Sequence, residues 1–319
     1  MKICTLCPRN CGVDRENGTL GLCGQTNEVK VARAALHYWE EPCISGKEGS
    51  GAVFFSGCSL HCVFCQNYNI ANGTAGKVIT TERLSEIFLE LQEKGANNIN
   101  LVTPSHFVPQ IITALESAKN QGLTLPIVYN TGSYEKVDTI RRLEGLVDIY
   151  LPDFKYMSPI LSAKYSYAAD YSMVAKEVIA EMVRQTGKPE FMYIQPEDKM
   201  SDEARAKVDP IEAGALMKHG TIVRHLLLPG YTEDSKAVIR YLYQTYGDSI
   251  YISIMNQFTP LTGLDKYPEL KRKVTKKEYD AVVDYAIQLG VACGFIQDGD
   301  TAKESFIPEF DGEGVEREK

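Results

Sequence analysis

Residues 55–65 read Phe55-Ser56-Gly57-Cys58-Ser59-Leu60-His61-Cys62-Val63-Phe64-Cys65, a C-x3-C-x2-C loop directly after the apolar run Ala52 to Ser56. The run predicts a strand, and the spacing puts three thiols on the short loop that leaves it. Three thiolates can ligate three irons of a cubane and leave the fourth without a protein ligand, whereas an electron-transfer cluster takes four cysteines. An iron left open can bind a cofactor or substrate. A structural zinc site here would need His61 or a distant residue as fourth ligand, so His61 is read as solvent-facing or as supporting the loop.

Beyond the loop, short apolar runs alternate with helix-length amphipathic segments, the pattern of repeated βα units on a parallel sheet. Strands are expected at Ala52 to Ser56, Asn98 to Thr103, Pro126 to Asn130, Val147 to Leu151, Thr221 to Leu227 and Tyr251 to Met255. A helix is expected over Thr81 to Lys94, with Thr81 as N-cap and Leu84, Ile87, Phe88 and Leu91 on its buried face. The charge-dense stretch Glu197 to Glu212 reads as an insertion or surface loop, and the polar tail from Asp311 to Lys319 as a fraying end. Residues 1–45 are rich in Cys, Gly and turn signals, with little apolar periodicity. The expected organisation is a Cys-rich metal-binding extension (1–45), a catalytic domain (46–300) and a C-terminal tail (301–319).

A chain of 319 residues, 44% hydrophobic, fits one large α/β domain with an appendage. Its formal net charge of -8, with both signs mixed along the chain, offers no basic field for phosphates and argues against a nucleic-acid partner. No run approaches the roughly 18 apolar residues of a membrane span, and the N-terminus lacks the apolar core of a secretory signal; a cytoplasmic protein is expected. Nine cysteines, all but Cys293 within the first 65 residues, point to metal or redox chemistry rather than a disulfide framework. Cys4, Cys7, Cys11 and Cys23 form C-x2-C-x3-C-x11-C among Gly12, Gly18, Gly21 and Gly24, and four thiolates suffice for a closed site. Zinc, which would stabilise a segment with almost no core, and an auxiliary iron-sulfur cluster both suit soft sulfur ligands. Cys43 is a candidate replacement within that set, and Cys293 reads as a small core residue.

The cysteine loop and its surroundings resemble the radical S-adenosylmethionine (SAM) superfamily and, within it, the pyruvate formate-lyase activating enzyme family in its PflX-like branch. The resemblance extends to Gln66-Asn67-Tyr68-Asn69-Ile70, Val102-Thr103-Pro104-Ser105-His106, Val223-Arg224-His225-Leu226-Leu227-Leu228-Pro229-Gly230 and Met255-Asn256-Gln257. It implies an α/β fold, a partial TIM-type (β/α)6 barrel with a small Cys-rich extension. It also implies a [4Fe-4S] cluster on Cys58, Cys62 and Cys65 that reductively cleaves SAM to a 5′-deoxyadenosyl radical for hydrogen abstraction. An electron donor such as flavodoxin or ferredoxin and a glycyl radical enzyme are the implied partners. The alternatives are a radical SAM enzyme acting on a small molecule or another protein, and a nonenzymatic iron-sulfur or zinc protein.

Barrel chemistry gathers at the C-terminal strand ends, and the resemblance gives those ends roles. Phe64 is placed beside the adenine, and Thr103, Pro104 and Ser105 toward the SAM amino group. Asn130 and Thr131 stand where the family has an Asp-Thr pair, so the family's carboxylate is missing there. Asp153 and Lys155 resemble its Asp-Leu-Lys segment, positioned for SAM or a monovalent ion. Arg224 lies inside an apolar strand and needs an anion or a full set of acceptors; the SAM carboxylate is the expected anion. His225 points to the opposite strand face, shared between support of the site and the core, while Asn256 and Gln257 are expected at the substrate opening.

Overall fold

The computed structural model describes residues 3–193, 210–297 and 307–317. The first element is a strand, β1 (Val29–His37), followed by the short helix α1 (Pro42–Ser45). The apolar run ahead of the cysteines is β2 (Ser50–Phe55), buried at every position. It starts a parallel series in which β4 (Ile99–Val102), β5 (Ile127–Thr131), β6 (Ile149–Pro152), β8 (Leu216–Leu226) and β9 (Tyr251–Met255) each bond to the strand before in space. These are the six expected strands, the fifth starting several residues earlier than read. β10 (Gly294–Ile296) extends the series beside β9. At the other edge β1 runs antiparallel to β2 and β3 (Lys77–Ile79) antiparallel to β1, while β7 (Glu190–Met192) pairs with β8. The sheet stays open, as a partial (β/α) barrel.

The helices of the described residues are α2 (Tyr68–Ala71), α3 (Thr81–Glu93), α4 (Val108–Asn120), α5 (Val137–Arg141), α6 (Pro159–Ser166), α7 (Tyr171–Thr186), α8 (Thr232–Tyr246) and α9 (Lys276–Leu289). In α3 the buried face is Leu84, Ile87, Phe88 and Leu91 as read, but Thr80 is the N-cap, its side chain accepting the Arg83 N–H at 3.2 Å. α3 and α4 cover one half of the sheet over Val53, Phe55, Leu101 and Ile127. α7, α8 and α9 contribute Ile179, Val238 and Val282 to a second cluster with Phe154, Val223 and Ile252. Each such side chain contributes roughly 1.5–3 kcal/mol by leaving water.

Two expectations fail at the β1 edge. Residues 29–37 form a nine-residue strand where little periodicity was read, because the alanines that make the pattern look weak are buried between neighbours. The tail does not fray over its described part. Ala34 N–H donates to the Glu313 carbonyl (2.8 Å) and Gly312 N–H to Ala32 (3.1 Å), so residues 312–313 zip onto β1. Gly314, at φ +69°, presses on the Ala34 carbonyl where a Cβ would collide. Val315 is fully buried, and buried Arg83 donates to the carbonyls of Val315, Gly314 and Glu316. Surface ion pairs alone would hold such a tail weakly; the buried guanidinium satisfies its backbone. Residues 318–319 and most of the charge-dense stretch, 197–209, lie outside the described residues.

Candidate active site

The parallel strands bring their C-terminal ends together, and the chain turns sharply as it leaves β2. Gly57 takes φ +91°, and a Cβ there would lie 2.5 Å from the Cys23 carbonyl oxygen, so only glycine fits. His61 sits at φ +53° and its Nε2 bonds to the Leu22 carbonyl at 2.5 Å, which makes it a support of the loop. Cys58 N–H donates to the Cys23 carbonyl (3.2 Å), and the Cys62 sulfur accepts the Ser166 hydroxyl (3.0 Å). Phe64 is buried edge-on against Tyr156 and Tyr165 and also faces the cavity, so it braces the loop and lines the site at once.

A cavity of about 250 Å³ is lined by Cys58, Cys62 and Cys65 together with Phe64, Thr103, Asn130, Thr131, Asp153, Lys155 and Arg224. Residues read separately along the sequence thus share one space. Burial raises the Cys62 thiol, and burial reinforced by the charges of Cys62 and Cys58 pushes Cys65 up to about 12, with Lys155 opposing in both cases. Ligation must therefore take protons off these sulfurs. Among the described residues no three of His, Cys, Asp or Glu are drawn around a single ion; a cubane instead spreads its thiolates over separate corners. The donor set suits such a cluster: three soft sulfurs on one loop facing a cavity, with Lys155 as nearby cation.

Opposite the thiols lies a charged network. Arg224 donates from Nε to Asp153 (3.1 Å), from Nη1 to Glu40 (3.0 Å) and from Nη2 to the Asn130 side-chain Oδ1. Lys155 Nζ holds the other Asp153 oxygen at 2.6 Å. Glu40 in turn accepts the amides of Asn100 (3.0 Å) and Asn130 (3.3 Å). Burial alone would raise Asp153, but the charges of Lys155 and Arg224 win and hold it below the ordinary carboxylate range. Burial likewise would lower Lys155, and Asp153 and Cys62 overcome it to raise that ammonium. The anion that Arg224 requires is thus supplied by the protein, from Asp153 and Glu40.

Thr103 adopts φ +58° at the end of β4, an uncommon conformation for a β-branched residue, with its N–H bonded to the Asn130 carbonyl at 2.9 Å. Four expected residues do not line the cavity: Pro104, Ser105, His225 and Asn256. Ser105 turns to the buried Glu135 carboxylate (2.9 Å), which Tyr129 (2.7 Å) and Thr131 also bond, forming a polar plug under the strand ends. His225 faces away, its Nδ1 on the Phe154 carbonyl at 2.7 Å. Asn256 N–H is taken by Gln297 (2.8 Å), while its neighbour Gln257 does reach the cavity. Cys4, Cys7, Cys11 and Cys23 lie behind the loop, outside the cavity lining. Cys43 is buried in an apolar cluster with Ile44, Val128 and Ile149, and Cys293 packs against the same cluster.

The family described as the Radical SAM superfamily matches residues 52–192, from β2 through β7. Residues 52–192 of this chain are similar to that family. A radical SAM domain implies a [4Fe-4S] cluster and SAM, and the three cavity thiols are the residues that fit the cluster. An uncharacterized protein of Methanocaldococcus jannaschii is 24% identical over 292 residues, covering 89% of this chain and 74% of that protein. Among solved structures, Streptococcus suis SuiB bound to precursor peptide SuiA is similar with a TM-score of 0.49 and 13% identity, over 77% of this chain and 47% of SuiB. HydG, a maturase of the [FeFe]-hydrogenase, is similar with a TM-score of 0.46 and 15% identity, over 73% and 48%. This chain spans about half the length of those solved chains. No helix among the described residues is long and apolar enough to cross a membrane.

Proposed function

We propose that this protein reductively cleaves SAM and uses the resulting radical to take a hydrogen atom from a protein partner, a glycyl radical enzyme being the class its sequence resembles an activator of. The observation that carries the reading is the single cavity joining three loop thiols to the polar ends of four parallel strands. When bound, a [4Fe-4S] cluster carrying SAM on its open iron supplies one-electron cleavage of a sulfonium C–S bond, giving methionine and the 5′-deoxyadenosyl radical. The electron comes from a small carrier such as flavodoxin or ferredoxin.

The chain's own residues bind, orient and exclude water. Leu60, Phe64, Leu226 and Met255 supply apolar wall for an adenine and shield a radical from solvent. Arg224 already serves three acceptors. Lys155 has one, Asp153, which leaves two of its three N–H donors for a carboxylate. Lys155 is therefore assigned to the SAM carboxylate and Arg224 to holding Asp153, Glu40 and Asn130 in place. A smaller cavity of about 140 Å³ shares His37, Trp39, Phe54 and Pro308 with the first. Tyr38 and Trp39 at this rim are more than half exposed, the residue types that anchor protein partners.

Anaerobic reconstitution with iron and sulfide, followed by reduction with SAM, should yield 5′-deoxyadenosine from the wild type and none from Cys58→Ala, Cys62→Ala or Cys65→Ala. Absence of SAM binding to the reconstituted chain overturns the reading. Lys155→Met should weaken SAM binding about tenfold to a hundredfold, the worth of one charge-assisted hydrogen bond; unchanged affinity in equilibrium dialysis removes Lys155 from that role. Deuterium transfer into 5′-deoxyadenosine from a labelled glycyl radical enzyme supports the protein-substrate assignment, and transfer from small metabolites alone overturns it.

A further inference from the structure

Two turns of the N-terminal segment grip the catalytic loop. From the first, Arg9 donates to the carbonyls of Ser59 (2.8 Å), Leu60 (3.3 Å) and Ser166 (2.9 Å). From the second, the Leu22 carbonyl holds His61 and the Cys23 carbonyl holds the Cys58 N–H. The same two turns carry Cys7, Cys11 and Cys23, with Cys4 beside them.

The four sulfurs are neighbours. Arg15 bridges them, with Nη1 at 3.9 Å from the Cys4 sulfur and Nε on the Gln25 carbonyl (3.2 Å), two residues past Cys23. Backbone bonds bring the turns together: Cys4 N–H donates to the Val13 carbonyl (2.9 Å) and Gly12 N–H to the Cys4 carbonyl (3.1 Å), beside Cys11, while Gly24 N–H donates to the Gly21 carbonyl (2.9 Å) around Cys23.

The charges nearby are unbalanced in the complementary sense. Arg15 is only 4% exposed, yet its oxygen partners are the neutral carbonyls of Gln25, Thr26 and His106, and its Nη1 lies 3.9 Å from the Cys4 sulfur. Arg9 also bonds only to carbonyls, with its guanidinium over the Tyr134 ring. No carboxylate among the described residues pairs with either arginine. Arg15 is buried among neutral acceptors, so a negative charge placed beside it would be stabilised there. Four thiolates on a zinc ion, or on an oxidised [4Fe-4S] core, carry a net twofold negative charge, which Arg15, beside the Cys4 sulfur, would partly offset.

We propose that Cys4, Cys7, Cys11 and Cys23 ligate a second, all-thiolate metal centre that ties the Arg9 turn to the Leu22-Cys23 turn and so clamps the loop bearing Cys58 and Cys62. The metal site stands independently of SAM cleavage; its clamping role rests on the radical SAM reading. As they lie, the sulfurs are not gathered round one ion, so zinc would draw the two turns inward while a cubane would take them spread.

The test uses the full chain carrying Cys58→Ser, Cys62→Ser and Cys65→Ser, isolated anaerobically and then exposed to zinc alone or to iron with sulfide. About one zinc, or about four irons with matching sulfide, per chain supports the site and identifies its metal. Metal no higher than in a chain also lacking Cys4, Cys7, Cys11 and Cys23 overturns it. For the clamp, Cys7→Ser/Cys23→Ser in the otherwise native protein should lose its catalytic iron to a chelator about tenfold faster. Should that variant fail to fold by circular dichroism, Arg9→Ala keeps all four thiols and should retain the second metal while losing catalytic iron faster. Wild-type rates of iron loss from both variants overturn the clamp, whatever the outcome of the SAM assay.

Discussion

Asp153 is the residue on which the site's charges turn. It joins two partly exposed cations at the cavity wall, so Asp153→Asn leaves Lys155 without its anion and Arg224 with Glu40 alone, and should destabilise the fold by about 1–3 kcal/mol, read from the urea midpoint. Buried histidines set the acid limit. Burial pushes His106 down to about 3 and His37 and His225 down to about 4. Between these values and the unfolded 6.5 the unfolded chain binds more protons, so stability is full above about pH 6.5 and falls as the pH drops, by about 1.4 kcal/mol per pH unit for each histidine. Urea unfolding at pH 7 and pH 5 should show this loss, and His106→Gln should reduce it by about a third. The loop cysteines, Phe64, Asp153, Lys155 and Arg224 do line one cavity; spacing marked the cysteines and an apolar strand marked Arg224, while Phe64, Asp153 and Lys155 were singled out by the resemblance. Glu40 was not, because its partner Arg224 lies 184 residues away and nothing local marks one glutamate after Trp39 as different from another.

At the scale of elements, the six parallel strands were legible because burial on both faces leaves continuous apolar runs, as β2 and β4 show. β1 was hidden by its alanines, and the C-terminal strap by the distance in sequence to its partners: Arg83 reaches Val315 across 232 residues. The neighbouring threonines 80 and 81 could not be ranked as caps without the helix entry angle. Arg83→Met keeps the side-chain bulk but unbonds three strap carbonyls, and should cost about 2–3 kcal/mol. Limited proteolysis should then cut at Arg317, which is held by Glu86 in the wild type. Intact resistance to trypsin would show the strap to be held by Val315 and the β1 bonds alone.

For the whole molecule, alternation of apolar runs with amphipathic segments was enough to read βα units on a parallel sheet, and the resemblance supplied the partial barrel. The way its N-terminal turns meet the cysteine loop was not legible, since the carbonyl groups of Leu22 and Cys23 that shape the loop carry no side-chain signature. The zipping of residues 312–313 onto β1 bears on how the protein is made. β1 and the cysteine loop leave the ribosome well before residues 312–313, the segment that seals this edge. Closing so distant a contact comes late and slowly. A nascent chain therefore carries its cysteine loop beside an unsealed edge until residues 312–313 emerge.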